Sequence, residues 1–322
     1  MISYILEDKI KESYKALRLA AEMSKTYYEK PLILTYSGGK DSDVLVQLAI
    51  ECLDVNDFEV LNSHTTVDAP ETVYYIRDQF KEWESKGIKC TVHYHHYPDG
   101  RPMTMWSLIE DKQIPPTRIQ RYCCANLKEA STPNRFVATG VRAAESIKRR
   151  GRDTFSFLGT IKGERHFYST EHAEEVFRES LEKTEGGVKN DSPWDCLLIA
   201  KAKANNDLIV NPIYLWGDSD VWDFIHDREM KYNPLYDQGW PRVGCVGCPM
   251  ATNQLWEFEK YPKYKEMFIK AFDRMIERRK EAGKVNKKES IWVSGESVFK
   301  WWTKDYSEIE GQMSIFDMEV KE

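Results

Sequence analysis

Apolar residues near the start of the chain follow first a helical and then a buried-strand pattern. Across residues 7–29 they recur at helical intervals, which predicts an amphipathic lead-in helix. Pro31 ends this pattern, and the apolar run at residues 32–36 is typical of a strand buried in a parallel sheet. Two glycines, Gly38 and Gly39, then separate the strand from a second helical pattern. The sequence therefore predicts a strand, a tight loop and a helix.

Strand and helix patterns continue to alternate along the chain. We predict strands at 58–67, 88–95 and 136–141, and a helix at 70–87 that has proline near its start and glycine at its end. Strands separated by helices of this length indicate a doubly wound, mostly parallel α/β sheet. Residues 160–193 are mostly polar with weak periodicity, which predicts an insertion or mobile loop.

A strong helical pattern returns at residues 261–282, and a polar linker is predicted at 283–290. We therefore expect a first domain at residues 1–255, which contains the insertion, and a helical C-terminal extension at 256–322.

Composition and charge narrow the class of protein. The chain of 322 residues is 41% hydrophobic and 30% charged, as in an ordinary globular protein. No apolar run approaches the roughly 18 residues of a membrane span, and the first residues lack a signal-peptide pattern. We therefore expect a cytoplasmic protein with no membrane partner. A net charge of −6 argues against wholesale coating of nucleic acid but is compatible with a local basic groove.

The candidate chemistry begins in the loop after the first predicted strand, which consists of Ser37, Gly38, Gly39, Lys40, Asp41 and Ser42. A glycine pair lets the backbone approach a phosphate, and the following helix offers unpaired N–H groups. Lys40 adds a full positive charge, and Asp41 can hold Mg²⁺ directly or through water. The loop is too short for a Walker A sequence, and a plain glycine turn capped by Asp41 or Ser42 is the alternative interpretation.

This loop resembles the Ser-Gly-Gly-X-Asp-Ser loop of the N-type ATP pyrophosphatase superfamily. A second element, containing Gly140, Arg142 and Glu145, resembles the Gly-X-Arg-X-X-Glu-Ser element of that superfamily. The resemblance implies an adenine nucleotide alpha-hydrolase-like fold, ATP and Mg²⁺ as cofactors, and catalytic roles for Lys40, Asp41 and Arg142. It implies that the nucleotide is bound by Ser37, Gly38, Gly39, Lys40, Asp41, Ser42, Asp68, Gly140, Arg142 and Glu145. A helix-capping or loop role is the alternative for Asp68.

Four of the seven cysteines form two close pairs, Cys123 with Cys124 and Cys245 with Cys248. On chemistry alone, four thiolates suit structural Zn²⁺ or an iron–sulfur cluster, although adjacent cysteines are unusual for zinc. Four ordinary buried cysteines, or a redox Cys-X-X-Cys, are the alternatives. The arrangement resembles the cluster ligands of iron–sulfur PAPS reductase-like (sulfonucleotide) reductases and of DndC-type DNA phosphorothioation sulfurtransferases. That resemblance, over roughly residues 30–255, implies a [4Fe–4S] cluster.

The same families differ in their reactions. Sulfonucleotide reductases use a cysteine near the C-terminus, whereas no cysteine follows Cys248 in this sequence, which disfavours a standard reductase. The resemblance to the phosphorothioation enzymes implies an ATP-dependent sulfurtransferase that adenylylates its acceptor. It also implies a cysteine desulfurase as sulfur donor and a nucleic acid as candidate acceptor. Residues 148–152 and 274–280, with the tail tryptophans, are the candidate nucleic-acid surface.

Three alternatives stay open. An APS or PAPS reductase explains the cysteines, and a sulfate adenylyltransferase-like enzyme explains the loop but not the cysteines. A regulatory module that senses nucleotide or redox state has less need of Lys40, Asp41 and Ser42.

Overall fold

The computed structural model describes residues 3–132, 134–158, 165–185, 208–251, 253–284 and 292–304. The chain forms two compact units, the first made of Met1–His96 and Asn126–Gly244 and the second of Tyr97–Ala125 and Cys245–Glu322. Each unit therefore uses two separate stretches of chain, whereas the sequence pattern predicts one boundary after residue 255.

A mostly parallel sheet forms the centre of the first unit. Its strands are β1 Leu32–Thr35, β2 Phe58–Ser63, β3 Cys90–His93, β4 Val137–Ala138, β5 Phe155–Leu158, β6 Arg165–Tyr168 and β7 Leu208–Val210. Their order in space is β3-β2-β1-β4-β7-β5-β6. The neighbours from β3 to β7 pair in parallel, and β5 pairs antiparallel with both β7 and β6. The predicted doubly wound, mostly parallel α/β sheet is confirmed.

The helices lie before, between and after these strands along the chain. In chain order the described α-helices are α1 Tyr4–Tyr28, α2 Lys40–Cys52, α3 Pro70–Ser85, α4 Met105–Lys112, α5 Tyr122–Leu127, α6 Thr170–Glu185, α7 Asp218–Asp227, α8 Gln254–Lys260, α9 Pro262–Glu281 and α10 Gly295–Thr303. Short 3₁₀ turns occupy Glu129–Ser131, Ala143–Glu145 and Ile147–Arg149. Across the described ranges, none of these helices has an apolar stretch that could span a bilayer.

Residues 165–185, within the insertion or mobile loop predicted at 160–193, form regular elements, so the loop interpretation is wrong there, whereas an insertion stays a prediction. This segment forms β6, which extends the sheet, and α6, which buries Ala173 and Phe177 in the core. The Phe177 ring meets Tyr27 of α1 edge-on at 5.6 Å between centroids, and the Tyr27 hydroxyl lies 2.9 Å from Ser180 Oγ. The apolar face of α6 is narrow and the rest of the helix is polar. The segment is therefore polar on average, and for this reason the sequence pattern did not predict the helix. Residues 159–164 and 186–207 lie outside the described residues.

The second unit is helical, as predicted for the C-terminal part of the chain. Its core is aromatic: Phe268 of α9 packs against Trp106 at 4.8 Å, Phe258 at 5.5 Å and Trp302 at 4.8 Å between ring centroids. Helix α10 approaches α9 closely at Gly295, where a Cβ would lie 2.1 Å from the Ile269 carbonyl oxygen. Most of the polar linker predicted at 283–290 lies outside the described residues.

Candidate active site

The predicted phosphate loop follows β1 at the point where the strand order reverses between β1 and β4. Open α/β sheets bind ligands at such points, beyond the carboxyl ends of the strands. Gly38 has a φ of +72°, and a Cβ there would lie 2.9 Å from the Ile76 side chain of α3. Both the left-handed backbone and the close approach of α3 therefore require glycine at this position.

Buried polar side chains hold the loop in shape. Ser42 Oγ donates to the Gly39 carbonyl at 2.7 Å and accepts from the Ser37 N–H at 3.2 Å. The fully buried Asn233 donates from Nδ2 to the Gly38 carbonyl at 2.9 Å and to Thr72 Oγ1 at 3.1 Å. These bonds satisfy polar groups that burial would otherwise leave unpaired. The loop is therefore preformed at the amino end of α2.

Two cations and two carboxylates meet beside the loop. Lys40 Nζ lies 2.9 Å from Asp218 Oδ1 and 3.5 Å from Asp41 Oδ2. Arg142 Nε lies 2.6 Å from Asp41 Oδ1, and Arg142 Nη2 lies 3.0 Å from Asp218 Oδ1. The structure thus brings together the three predicted catalytic residues Lys40, Asp41 and Arg142. Asp218 joins them, although the sequence analysis did not select it.

The charge of Asp218 follows from these contacts. Partial burial opposes ionisation, but the hydrogen bond and charge of Lys40, together with Arg142, hold the pKa of Asp218 below its usual range. The carboxylate is therefore ionised at neutral pH, and the quartet of Lys40, Asp41, Arg142 and Asp218 carries no net charge. Oxygen ligands such as the Asp41 carboxylate suit Mg²⁺, so the donor chemistry at this position fits the predicted ion.

The second predicted element reaches the loop from the end of β4. A Cβ at Gly140 would lie 2.9 Å from the Asp41 carbonyl oxygen, so only glycine lets the two backbones approach this closely. Glu145 Oε2 accepts from the Arg142 backbone N–H at 3.0 Å and pairs with Arg149. Glu145 therefore shapes the turn that places Arg142.

Asp68 lies in the turn after β2. Its Oδ2 accepts from the Thr65 backbone N–H at 3.0 Å and lies 3.8 Å from His64 Nδ1. These contacts agree with the loop role that the sequence analysis gave as the alternative for Asp68. Its contact with a nucleotide stays a prediction.

Tyr236 is a site residue that the sequence analysis missed. Its hydroxyl accepts from the backbone N–H of Lys40, the first residue of α2, at 3.1 Å. Burial raises the pKa of Tyr236, so the hydroxyl keeps its proton at neutral pH. The only available signal was the run at 233–237, Asn-Pro-Leu-Tyr-Asp, which lies almost 200 residues from the loop.

A buried acid lies beneath the loop in the first turn of α2. Asp43 is 2% exposed, and its Oδ1 accepts from the Tyr36 hydroxyl at 2.7 Å. Burial raises the pKa of Asp43 to about 7 against the opposing effect of the hydrogen bonds from Tyr36 and Tyr75. The carboxyl group is therefore largely protonated below neutral pH.

Asp43→Asn should remove part of the pH dependence of folding. The unfolded chain ionises Asp43 near pH 4, whereas the folded chain keeps the proton up to about pH 7. Because the folded state binds more protons in this window, stability falls as pH rises through it. We expect the variant to gain on the order of 3 kcal/mol relative to wild type between pH 4.5 and 7.5. Urea unfolding at several pH values measures this, and the exposed Asp54→Asn is the control that should show no such gain.

All four predicted metal-ligand cysteines belong to the second unit. Cys123 and Cys124 lie in the first turn of α5, and Cys245 and Cys248 flank a tight turn. The hydrogen bond with Cys124 and burial raise the pKa of Cys123, and the charges of Cys124, Cys245 and Cys248 raise it further. Within the described part of the chain, no three of the His, Cys, Asp or Glu side chains have the arrangement of a preformed metal site.

Neighbouring groups hold the Cys-X-X-Cys turn. Gly247 has a φ of +70°, its N–H donates to Glu257 Oε2 at 2.7 Å, and its carbonyl accepts from Gln254 Nε2 at 2.8 Å. Arg121 Nη2 donates to Cys124 Sγ at 3.3 Å, which favours a thiolate at that position. Soft thiolates with a nearby cation suit an iron–sulfur cluster or zinc, so the donor chemistry fits the predicted group.

Three arginines of the predicted nucleic-acid surface on α9 contact other residues of the second unit. Arg274 pairs with Glu110, Arg278 lies 2.5 Å from Asp111, and Arg279 Nη1 donates to the Gln113 carbonyl at 2.8 Å. Trp302 lies in the aromatic core. These contacts give the basic residues of α9 a structural role, and a nucleic-acid partner stays a prediction.

Comparisons with known proteins agree with these features. Residues 31–251 match the family model described as the phosphoadenosine phosphosulfate reductase domain. The uncharacterized protein MJ0973 of Methanocaldococcus jannaschii is 25% identical over 267 residues, which are 80% of this chain and 51% of that protein. The adenosine 5'-phosphosulfate reductase of Allochromatium vinosum is 30% identical over 121 residues, 38% of each chain. The chain thus spans about half, or less, of the length of these relatives.

Solved structures overlap the chain more loosely. The U34-tRNA thiolase NcsA from Methanococcus maripaludis, with its [4Fe-4S] cluster, overlaps 88% of this chain and 83% of its own at 13% identity and a TM-score of 0.42. The phosphoadenylyl-sulfate reductase from Candida auris overlaps 76% and 96% at 12% identity and a TM-score of 0.39. Because both TM-scores lie below 0.5, neither overlap supports a statement about ligand or reaction.

Proposed function

We propose that this chain, which belongs to the phosphoadenosine phosphosulfate reductase domain family, is an ATP-dependent sulfurtransferase that adenylylates its acceptor. The observation that carries the proposal is the position of Lys40 and Arg142. Both cations are nearly buried and meet beside the glycine loop at the amino end of α2. Fixed positive charges and helix amides at one point suit the charge that develops on a leaving pyrophosphate.

In the proposed first step an acceptor oxygen attacks the α-phosphorus of ATP. A bond forms between that oxygen and phosphorus, the bond from phosphorus to the bridging oxygen breaks, and pyrophosphate leaves with the electron pair. Lys40, Arg142 and the loop amides stabilise its charge, while Asp41 holds Mg²⁺. In the second step, the persulfide sulfur of a cysteine desulfurase attacks the acceptor atom that carries the adenylylated oxygen, the bond from that atom to the oxygen breaks, and AMP leaves with the oxygen and the electron pair. A thiol reductant then cleaves the S–S bond and leaves the sulfur on the acceptor. The desulfurase and a nucleic-acid acceptor are part of this proposal.

We assign Cys123, Cys124, Cys245 and Cys248 as ligands of a [4Fe–4S] cluster, because all four lie in the second unit and their thiol chemistry suits iron. Such a cluster supplies redox chemistry when bound. The chain's own contribution is to place both cysteine pairs in the second unit and to hold the Gly247 turn with Glu257 and Gln254.

Acceptor-dependent pyrophosphate release tests the proposed function. The full chain, purified anaerobically, is incubated with ATP, Mg²⁺ and tRNA or duplex DNA, and pyrophosphate is measured over time. Release that requires an acceptor supports the enzyme. Tight ATP binding without release in the presence of any acceptor or desulfurase would instead support a sensor.

A sulfonucleotide reductase is the second candidate, which the similarity to the Allochromatium vinosum adenosine 5'-phosphosulfate reductase favours. Supplying adenylylated sulfate and a thiol reductant distinguishes the two reactions. Formation of sulfite would rank the reductase above the sulfurtransferase.

Cys245→Ser and Cys248→Ser should each remove most of the bound iron. We expect about four iron and four sulfide per wild-type chain and a loss of the broad visible absorbance in the variants, because serine is a poor ligand for this soft group. Cys52→Ser and Cys90→Ser are matched controls, since these half-buried thiols lie in the first unit. Zinc in place of iron, or iron retained in both variants, would refute the assignment.

A further inference from the structure

One carboxylate bridges the two cations that the proposed function assigns to phosphate. Asp218 Oδ1 lies 2.9 Å from Lys40 Nζ and 3.0 Å from Arg142 Nη2. A single oxygen therefore contacts both a lysine ammonium and an arginine guanidinium. These are the contacts that a phosphate oxygen makes in a cationic site.

Helix capping does not explain the position of this carboxylate. Asp218 is the first residue of α7, but the bond back to the N-cap residue Gly217 comes from Asp220, whose Oδ2 accepts from the Gly217 N–H at 2.6 Å. The Asp218 side chain extends instead to the phosphate loop. Its neighbours there, rather than its own helix, account for its orientation.

Burial differs sharply across the quartet. The Lys40 and Arg142 side chains are 8% and 4% exposed, whereas that of Asp218 is 66% exposed. Two nearly buried cations need counter-charges, because a buried charge without a partner is costly. Asp41 supplies one from within the loop helix, at 23% exposure. Asp218 supplies the other from the solvent side, where most of its side chain is exposed.

We propose that the Asp218 carboxylate occupies the position of a phosphate group between Lys40 and Arg142, and that the bound nucleotide displaces it. This inference rests on the proposed nucleotide site. It makes Asp218 a specificity-determining residue. A singly charged anion that displaces the Asp218 carboxylate exchanges one negative charge for another, so it gains little electrostatic binding energy. A pyrophosphate group brings more negative charge to the same two cations and therefore binds more favourably. The site therefore selects multiply charged phosphate ligands.

Asp218→Asn should tighten the binding of inorganic pyrophosphate by about tenfold, because the amide competes less well for two cations than a carboxylate does. Isothermal titration calorimetry on the full chain without Mg²⁺ measures the Kd. Asp223→Asn is the matched control: it removes the same charge from an exposed position on the same helix, and its Kd should change less than twofold. Thermal unfolding checks that each variant is folded.

The direction of the change separates this role from others. Damage to the fold, or a role of Asp218 as a hydrogen-bond partner of the ligand, would weaken binding or leave it unchanged. If wild type binds pyrophosphate and Asp218→Asn binds it no more tightly, the inference is wrong while the proposed nucleotide site stands. If neither protein binds pyrophosphate or ATP, both are wrong. Binding by the variant alone would support the inference.

Discussion

Lys40→Met should lower the rate of pyrophosphate release from ATP by at least about 100-fold. The ammonium group of Lys40 lies at the amino end of α2 beside Arg142, where the charge of the leaving pyrophosphate is expected to develop. Removing one such preorganised donor typically costs a factor of about 100 to 1,000 in rate. Methionine keeps an unbranched side chain of similar length, so the nearly buried position stays filled.

The rate is measured with saturating ATP, Mg²⁺ and the acceptor that supports release by wild type. Lys81→Met is the matched control, because Lys81 is an exposed lysine on α3 that pairs with Asp78. The control should retain the wild-type rate. An unchanged rate in Lys40→Met would place the chemistry somewhere other than this loop.

The sequence predicted the loop and its strand well because their signals are local. Three signals lie within about twenty residues: a short apolar run, a glycine pair and a helical pattern. They indicate the buried strand, the tight loop and the helix, respectively. The prediction at 136–141 was less accurate, since the strand covers only Val137–Ala138. Beyond the strand, Thr139 still donates to the Val210 carbonyl at 2.9 Å, and Gly140 then lies close to the backbone of Asp41.

The residues that the sequence did not reveal are those whose partners are distant in the chain. Asp218 meets Arg142 across 76 positions, and Asn233 meets Gly38 across 195. Hydrophobic periodicity reports only neighbours within an element, so it cannot pair such residues. The same limit applies to the second unit, where Trp106 packs on Phe268 although a large part of the sheet lies between them in sequence.

Gly247→Ala should destabilise the second unit by about 3 kcal/mol. About 1 kcal/mol of this comes from the left-handed backbone, with a φ of +70°. The remainder comes from overpacking, because a Cβ at Gly247 would lie 2.1 Å from Cζ of Phe258. That ring cannot move away easily, since it also packs against Phe299 at 5.0 Å and Trp302 at 6.0 Å between centroids.

Gly283→Ala isolates the backbone contribution. Gly283 has a φ of +64°, but nothing lies within 4 Å of a Cβ built there, so we expect a loss of only about 1 kcal/mol. Urea unfolding of the full chain, with and without chelator, measures both variants and separates any loss of iron from the steric effect. Adding Phe258→Leu to Gly247→Ala should recover part of the lost stability, because the smaller side chain removes the contact. Equal losses of unfolding free energy in Gly247→Ala and Gly283→Ala would show that a steric contact with Phe258 does not contribute. The cysteine turn would then be held by its hydrogen bonds to Glu257 and Gln254 and not by the aromatic core.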